Sequence, residues 1–275
     1  MRKFLKRKFN RYLAVFTISF KQEFAYRLNF IMWRVRNVLQ IFVTFFLWNA
    51  IFYTQDRVVF GYDRSKILTY VFGLIFIRAI VLSSRSIDVA GDISRGDLNN
   101  YLVKPINYFL YWLTRDISSK FLNVIFAVGE AFLLFIILRP PFFLQTNIIQ
   151  LVTFLCALIF AILIYFILLF MVNSIPFWAP ELGWGGHFLV SVVIVEFLSG
   201  AMFPIDVLPL VFQKILYLTP FPYLIFFPIE IYLGKIQGLM LVKGLTISLF
   251  WIIALWFLMK KIWDKGLKAY QAYGR

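Results

Sequence analysis

The sequence predicts an all-α polytopic membrane protein with six transmembrane helices. Three observations carry that prediction: the apolar content, the length of the apolar runs and the sidedness of the charge. Of 275 residues 62% are apolar, against roughly 45–50% in a soluble globular chain, and the mean hydropathy is +0.83. A water-soluble fold of this length leaves too much of its surface in water to hide so much apolar area, so lipid is the solvent. The formal charge of +15 would suit a nucleic-acid partner, but the basic residues flank the apolar runs instead of forming a patch of their own, which sets nucleic acid aside. One cysteine, Cys156, and one histidine, His187, can build neither a disulfide nor a zinc site.

A hydrocarbon core about 30 Å thick needs about 20 apolar residues rising 1.5 Å each. That ruler marks spans at 37–53, extended backward by Phe30 to Trp33, and at 67–84, 118–138, 147–176, 187–203 and 244–262. Arg139-Pro140-Pro141 stops the third, and the fourth is long enough to tilt. The N-terminus is basic like a signal peptide, yet the apolar segment starts only near Asn37 and no small-residue cleavage site follows, so it is expected to remain as the first span.

Orientation follows from Lys and Arg. With the N-terminus in the cytoplasm, the inner segments hold ten before the first span, five between Arg85 and Lys120, and five from Lys260 onward. The outer loops hold seven, namely Arg57, Arg64, Lys66, Arg139, Lys214, Lys235 and Lys243, so both termini are expected inside.

Three segments are neither spans nor simple connections. In the arm 1–36, Phe9, Leu13, Phe16, Phe20, Phe24, Leu28 and Ile31 recur at three- and four-residue steps with Lys21, Gln22, Glu23 and Arg27 mostly off that stripe. This predicts an amphipathic helix on the inner leaflet, its cations toward anionic head groups. In the loop 85–115, Ile87 to Arg95 reads as a short helix that Gly96 ends in the left-handed conformation, and Asp97 is expected to cap a second helix over Leu98 to Val103 before Pro105 stops it. Its charges alternate in sign across Asp88, Asp92, Arg95, Asp97 and Lys104, which suits a protein surface better than a lipid one. The stretch 204–238 holds five of the ten prolines, Pro204, Pro209, Pro220, Pro222 and Pro228, separated by apolar pieces too short to cross. It reads as a re-entrant helical hairpin in the outer leaflet, its broken backbone covered by neighbouring spans.

These segments, in this order around six spans, resemble the permease subunits of type-2 ATP-binding-cassette exporters, particularly the bacterial six-helix subfamily of unassigned substrate. Asp92-Ile-Ser-Arg95-Gly96-Asp97-Leu98, followed by Leu102-Val-Lys104-Pro105, is similar to the family's acidic-x-x-Arg-Gly-x-Leu and Leu-x-basic-Pro in the loop after the second span, with Asp92 where Glu is more usual. Gly200-Ala-Met-Phe-Pro204 through Pro209, then Thr219-Pro220-Phe221, Pro228 and Gly234, resembles the family's outer hairpin, and Gly266-Leu267-Lys268-Ala-Tyr270 its basic, tyrosine-containing tail. The resemblance implies that the loop is a coupling helix seated in a groove of a separate ATPase subunit. It also implies that a second permease chain, identical or related, completes the pathway, and that the protein lies in a bacterial inner membrane. No Gly-x-x-x-x-Gly-Lys-Ser/Thr loop is present, so ATP and magnesium are expected on the partner and no cofactor, metal or catalytic residue on this chain.

Arg78, Glu130 and Glu196 fall inside apolar spans, where each facing lipid would cost about 2.5–3.5 kcal/mol or more. At 1.5 Å per residue from the inner face they lie roughly 10, 18 and 13 Å deep, which predicts an Arg78–Glu196 pair between spans two and five. A structural role competes with a place in a transport pathway, Arg78 snorkelling inward and Glu130 protonated in the structural case. Two other functions are weighed. An ion-coupled secondary transporter would use Glu130 and Glu196 as proton carriers, but such folds show matched halves with interrupted helices, and only one broken segment is visible here. A magnesium-dependent membrane transferase would use Asp88, Asp92 and Asp97, but all three come from one loop with Arg95 and Lys104 among them. His187 and the Trp and Tyr residues near span ends are expected at the membrane interface, and Gly183, Gly185 and Gly186 around Trp184 form a flexible turn. The apolar, aromatic-rich spans suit a lipid, a peptide or a hydrophobic drug equally.

Overall fold

The computed structural model describes residues 2–25, 27–52 and 58–270. The predicted end of the first span at Tyr53, the outer-loop Arg57, and the side chains of Phe24, Arg27, Leu28, Phe30 and Trp33 lie outside the described residues. Within them the chain is an all-α polytopic membrane protein; the sole extended pairing is the isolated bridge Val59–Tyr62.

The arm is α1 (Arg2–Ala25), followed by α2 (Arg27–Ile51). Then come α3 (Arg64–Ile77), running on as a π-helical turn Arg78–Leu82, α4 (Ile87–Ser94), α5 (Asn99–Leu102), α6 (Tyr108–Leu138) and α7 (Ile148–Val172). A short helical stretch follows, α8 (Gly185–Phe188), a π-helical segment Leu189–Ile194 and α9 (Val195–Leu198). The proline-rich segment holds α10 (Leu210–Tyr217) and α11 (Phe226–Tyr232), and α12 (Gly238–Ala269) closes the fold.

Among the described residues four helical stretches are long and apolar enough to cross a membrane: Arg64–Ser94, Tyr108–Leu138, Ile148–Phe177 and Gly238–Ala269. Side-chain polar groups set several of their ends. Asp63 accepts from the Lys66 amide at 2.7 Å, Asn107 from Leu110 at 3.0 Å and Asn147 from Ile149 at 2.9 Å, each holding an amide that the first helical turn leaves without an acceptor. The Asn107 cap starts α6 ten residues before the predicted third span at 118, so the loop that sequence places at 85–115 ends near 107. The predicted fifth span 187–203 is likewise shortened, because helix ends at Leu198 and the chain turns at Gly200 with φ +86°.

α3 and α7 form the interior. Ile67, Leu68, Val71 and Leu74 on α3 and Ala157, Ala161, Ile164 and Leu169 on α7 are sealed from the surface, the alanines letting backbones approach closely. α6 and α12 stand outside them and present Phe132, Ile136, Met240 and Phe257 outward, a stable arrangement only where the surroundings are hydrocarbon. α1 lies along α6 instead of spreading its stripe wholly over lipid. Phe16 and Phe20 pack on the Phe121 ring at 6.3 and 6.2 Å, whereas Phe9, Leu13 and Ile31 remain exposed.

Candidate functional site

The loop between α3 and α6 carries most of the sequence-predicted site residues. α4 ends at Arg95, whose amide bonds the Gly91 carbonyl, and Gly96 takes φ +81°, the left-handed turn expected of it. Asp97 does not cap the second helix. The turn brings its carboxylate onto the Arg95 guanidinium at 3.0 Å, and the segment is closed by backbone bonds instead, Leu98 N–H to the Asp92 carbonyl and Asn100 N–H to the Asp97 carbonyl, with α5 starting only at Asn99.

The predicted surface divides in two. Asp92 is buried and accepts from the Tyr108 hydroxyl at 2.8 Å, and Leu98 is fully buried, so these two motif residues face inward and hold the loop to α6. Arg95, Leu102, Lys104 and Pro105 are exposed, and Val103 is 83% exposed. Leu102 and Val103 thus form an exposed apolar ridge next to Lys104, with uncharged Asn99 and Asn100 and the Arg95–Asp97 ion pair exposed in the same loop. Lys104 lies over the Tyr101 ring at 5.4 Å, and burial together with the nearby Asp92 carboxylate holds the Tyr101 phenol above its ordinary pKa. Arg11 of α1 donates to the Pro105 carbonyl at 2.6 Å, tying the arm to the end of the loop.

Beneath the ridge lies an aromatic cluster that the sequence reading missed. Tyr108 stacks on Trp263 of α12 at 5.2 Å, Tyr101 meets Tyr108 at 5.3 Å, and Trp263 also touches Phe109, Phe170 and Phe177, each within 5.3 Å. Trp263 is buried, so this residue near a span end is core and not an interface anchor. Tyr270 of the tail motif joins the cluster against Phe177 at 5.7 Å. His187 faces inward too, its Nδ1 lying 3.2 Å from the Asn173 amide. The ridge therefore stands on a base drawn from α4, α6, α7 and α12.

Within the apolar body the three sequence-predicted intramembrane charges, Arg78, Glu130 and Glu196, are each paired. Arg78 donates to Glu196 through two bonds of 2.9 and 2.6 Å, with side chains 9% and 13% exposed, and also to Gln40 of α2 at 3.2 Å and to the Ala201 carbonyl at 3.0 Å. Glu130 takes a bidentate pair from Arg34 of α2 at 2.5 and 2.6 Å. Arg34 falls inside the predicted arm 1–36 but belongs to α2 and reaches α6. Its signal was present in Ile31, Met32 and Val35, which carry an apolar helix back through it.

The broken backbone after α9 is satisfied by its neighbours. The Ser199 carbonyl accepts from Phe226 N–H at 3.0 Å, Gly200 from the Tyr70 hydroxyl at 2.6 Å, and Ala201 from Arg78. Pro204 and Pro209 precede helical turns and Pro220 precedes the 3-10 turn Phe221–Tyr223. Pro228 sits in the first turn of α11, where a missing amide costs no intrahelical bond. α11 is buried against α7 while α10 exposes Leu210, Val211, Phe212 and Ile215. Buried Glu230 is held by Tyr62 at 2.7 Å and Lys235 at 3.2 Å, and Lys235 also binds Asp206 at 2.6 Å.

No curated protein matches the sequence. A family model described as ABC-2 family transporter protein matches residues 38–274, and the chain therefore belongs to that family, as a multi-pass membrane transport component that partners an ABC ATPase.

Proposed function

We propose that this chain is the permease subunit of an ABC exporter that moves a hydrophobic or amphipathic substrate, powered by ATP and magnesium on a separate subunit. Two permease chains form the pathway, both termini are cytoplasmic, and the membrane is a bacterial inner membrane crossed six times by each chain. The observation that carries the reading is the ridge of Leu102, Val103 and Lys104, exposed on a base rigidly packed to three long helices. An apolar crest with the Lys104 cation on it and the Arg95–Asp97 ion pair in the same loop fits a groove on a protein partner, where steering by charge and burial of a central anchor act together. Closure of two ATPase subunits would push on this crest and switch the cavity between the permease chains from inward-facing to outward-facing.

Both alternatives lose support. Glu130 and Glu196 are each held bidentately by an arginine, which favours a structural role over proton carriage. Asp88, Asp92 and Asp97 do not converge: their carboxylates turn to Arg115, Tyr108 and Arg95.

The test is purification of the tagged full chain in mild detergent with identification of what accompanies it. A nucleotide-binding subunit is expected, and Val103→Asp should lower its recovery about tenfold, since it sets an uncompensated charge at the centre of the contact. Recovery of no such subunit with the wild-type chain, or wild-type recovery with Val103→Asp, would overturn the reading.

A further inference from the structure

The helix break between α3 and α4 is where the loop joins the interior helix of the bundle, and the buried charges Asp116 and Lys120 of α6 lie against it. The π-helical turn ends at Leu82, the chain is extended at Ser83, and α4 starts at Ile87. Such a break leaves carbonyls on its first side and amides on its second without helical partners. α6 supplies both. The Lys120 ammonium donates to the Val81 carbonyl at 3.2 Å and to the Ser83 carbonyl, placing a cation at the negative end of the helix. One turn earlier, Asp116 accepts from the Arg85 amide at 3.0 Å and lies 3.2 Å from the Lys120 ammonium.

Asp116 is fully buried and Lys120 is 5% exposed, so neither is a solvated surface charge. Two further helices grip the same four residues. Glu23 of α1 takes a bidentate bond from the Arg85 guanidinium, and Asn173, just past α7, donates to Ser86 Oγ at 3.4 Å.

We propose that Asp116 and Lys120, supported by Glu23, are positioning residues that lock residues 83–86 as a fixed elbow, so that a push on the loop turns α3 and α6 together instead of bending the chain at the break. The proposal rests on the reading of the loop as the ATPase contact. Its chemistry is specific in direction: position 120 must donate to two carbonyls and position 116 must accept from an amide. An ion pair serving by charge alone would work equally well reversed.

The experiment has two arms, both using the full chain in lipid nanodiscs with Cys156→Ser. In the first, amide exchange of the 83–88 segment is followed in the chain alone. Lys120→Met should speed exchange there about tenfold, the scale of one or two lost hydrogen bonds, with the interior of α3 unchanged, whereas Asp116→Asn keeps an acceptor and should stay within about threefold of wild type. In the second, the complex with the co-purified ATPase subunit carries spin-label pairs at Ser94 and Lys265, reporting the loop while leaving the Leu102–Lys104 crest intact, and at Val58 and Leu239, reporting the far end. On trapping with ATP and vanadate, wild type and Asp116→Asn should shift both distances. Lys120→Met and the reversed pair Asp116→Lys with Lys120→Asp should shift only the loop pair.

Wild-type exchange in Lys120→Met, or a far-end shift restored by the reversed pair, would overturn the elbow. Should the wild-type complex show no loop shift on trapping, the ATPase reading of the loop falls by itself, and the exchange arm still decides the elbow.

Discussion

Removing one partner of the Arg78–Glu196 pair tests the central contact of the membrane body. In Glu196→Ala the guanidinium keeps only the Gln40 side-chain Oε1 and the Ala201 backbone carbonyl, inside a site where both side chains of the native pair are under one-seventh exposed. Breaking a buried pair from one side costs about 3–5 kcal/mol in soluble proteins, because a charge is left uncompensated. In a bilayer the unfolded reference also finds partners, so a loss of about 2–3 kcal/mol is expected. Arg78→Ala should cost about 1 kcal/mol more than Glu196→Ala, since it also frees the Ala201 carbonyl at the root of the hairpin. The double variant should cost clearly less than the two single losses added together, with a coupling of about 1–2 kcal/mol. Equilibrium unfolding in mixed micelles, fitted as a double-mutant cycle, reads all four states. Losses that add to within about 0.5 kcal/mol would refute the pairing as an energetic unit.

Other sites give shorter tests. Gly200→Ala should destabilise by about 1–3 kcal/mol in the same assay, because φ is +86° and an added Cβ would stand 2.8 Å from the Tyr70 hydroxyl and 2.9 Å from Phe226 Cβ. Lys235→Met should lower the melting temperature more than Lys235→Arg, as it leaves Glu230, 2% exposed, beside Asp206 with Tyr62 as the shared donor. Tyr108→Phe should cost about 1 kcal/mol and raise amide exchange at Leu98, because the Asp92 carboxylate that faces it loses its hydroxyl donor.

The all-helical membrane body was legible because hydrocarbon imposes a length and an apolar content that few other solvents demand, and the runs at 67–84 and 147–176 meet both. Depth alone paired Arg78 with Glu196. What escaped were features set by tertiary contact. Asp97 has the right residue type for a cap, yet a guanidinium two residues earlier competes for it. Trp263 and Tyr108 have the composition of interface anchors, and only the convergence of four elements makes them core. The predicted fifth span ends early, at α9, because Gly200 turns where α11 passes, a neighbour more than twenty residues away in sequence. Arg34 precedes the continuous apolar run that begins near Asn37 and shares its turn with Arg36, so it has the composition of a solvated arm, and only the approach of α2 to α6 makes it the partner of Glu130.

The shortness of the Gly185–Leu198 stretch bears on the kind of bilayer this protein fits. Its rise is about 21 Å, some 9 Å less than an average hydrocarbon core. Phe188, Leu189 and Phe197 are exposed along it, so whatever lies against that face must shorten to match or leave part of the turn at Gly200 bathed in acyl chain. Acyl-chain length thereby becomes a handle on the protein from outside the polypeptide, with thinner membranes relieving the region beside the hairpin and thicker ones pressing upon it.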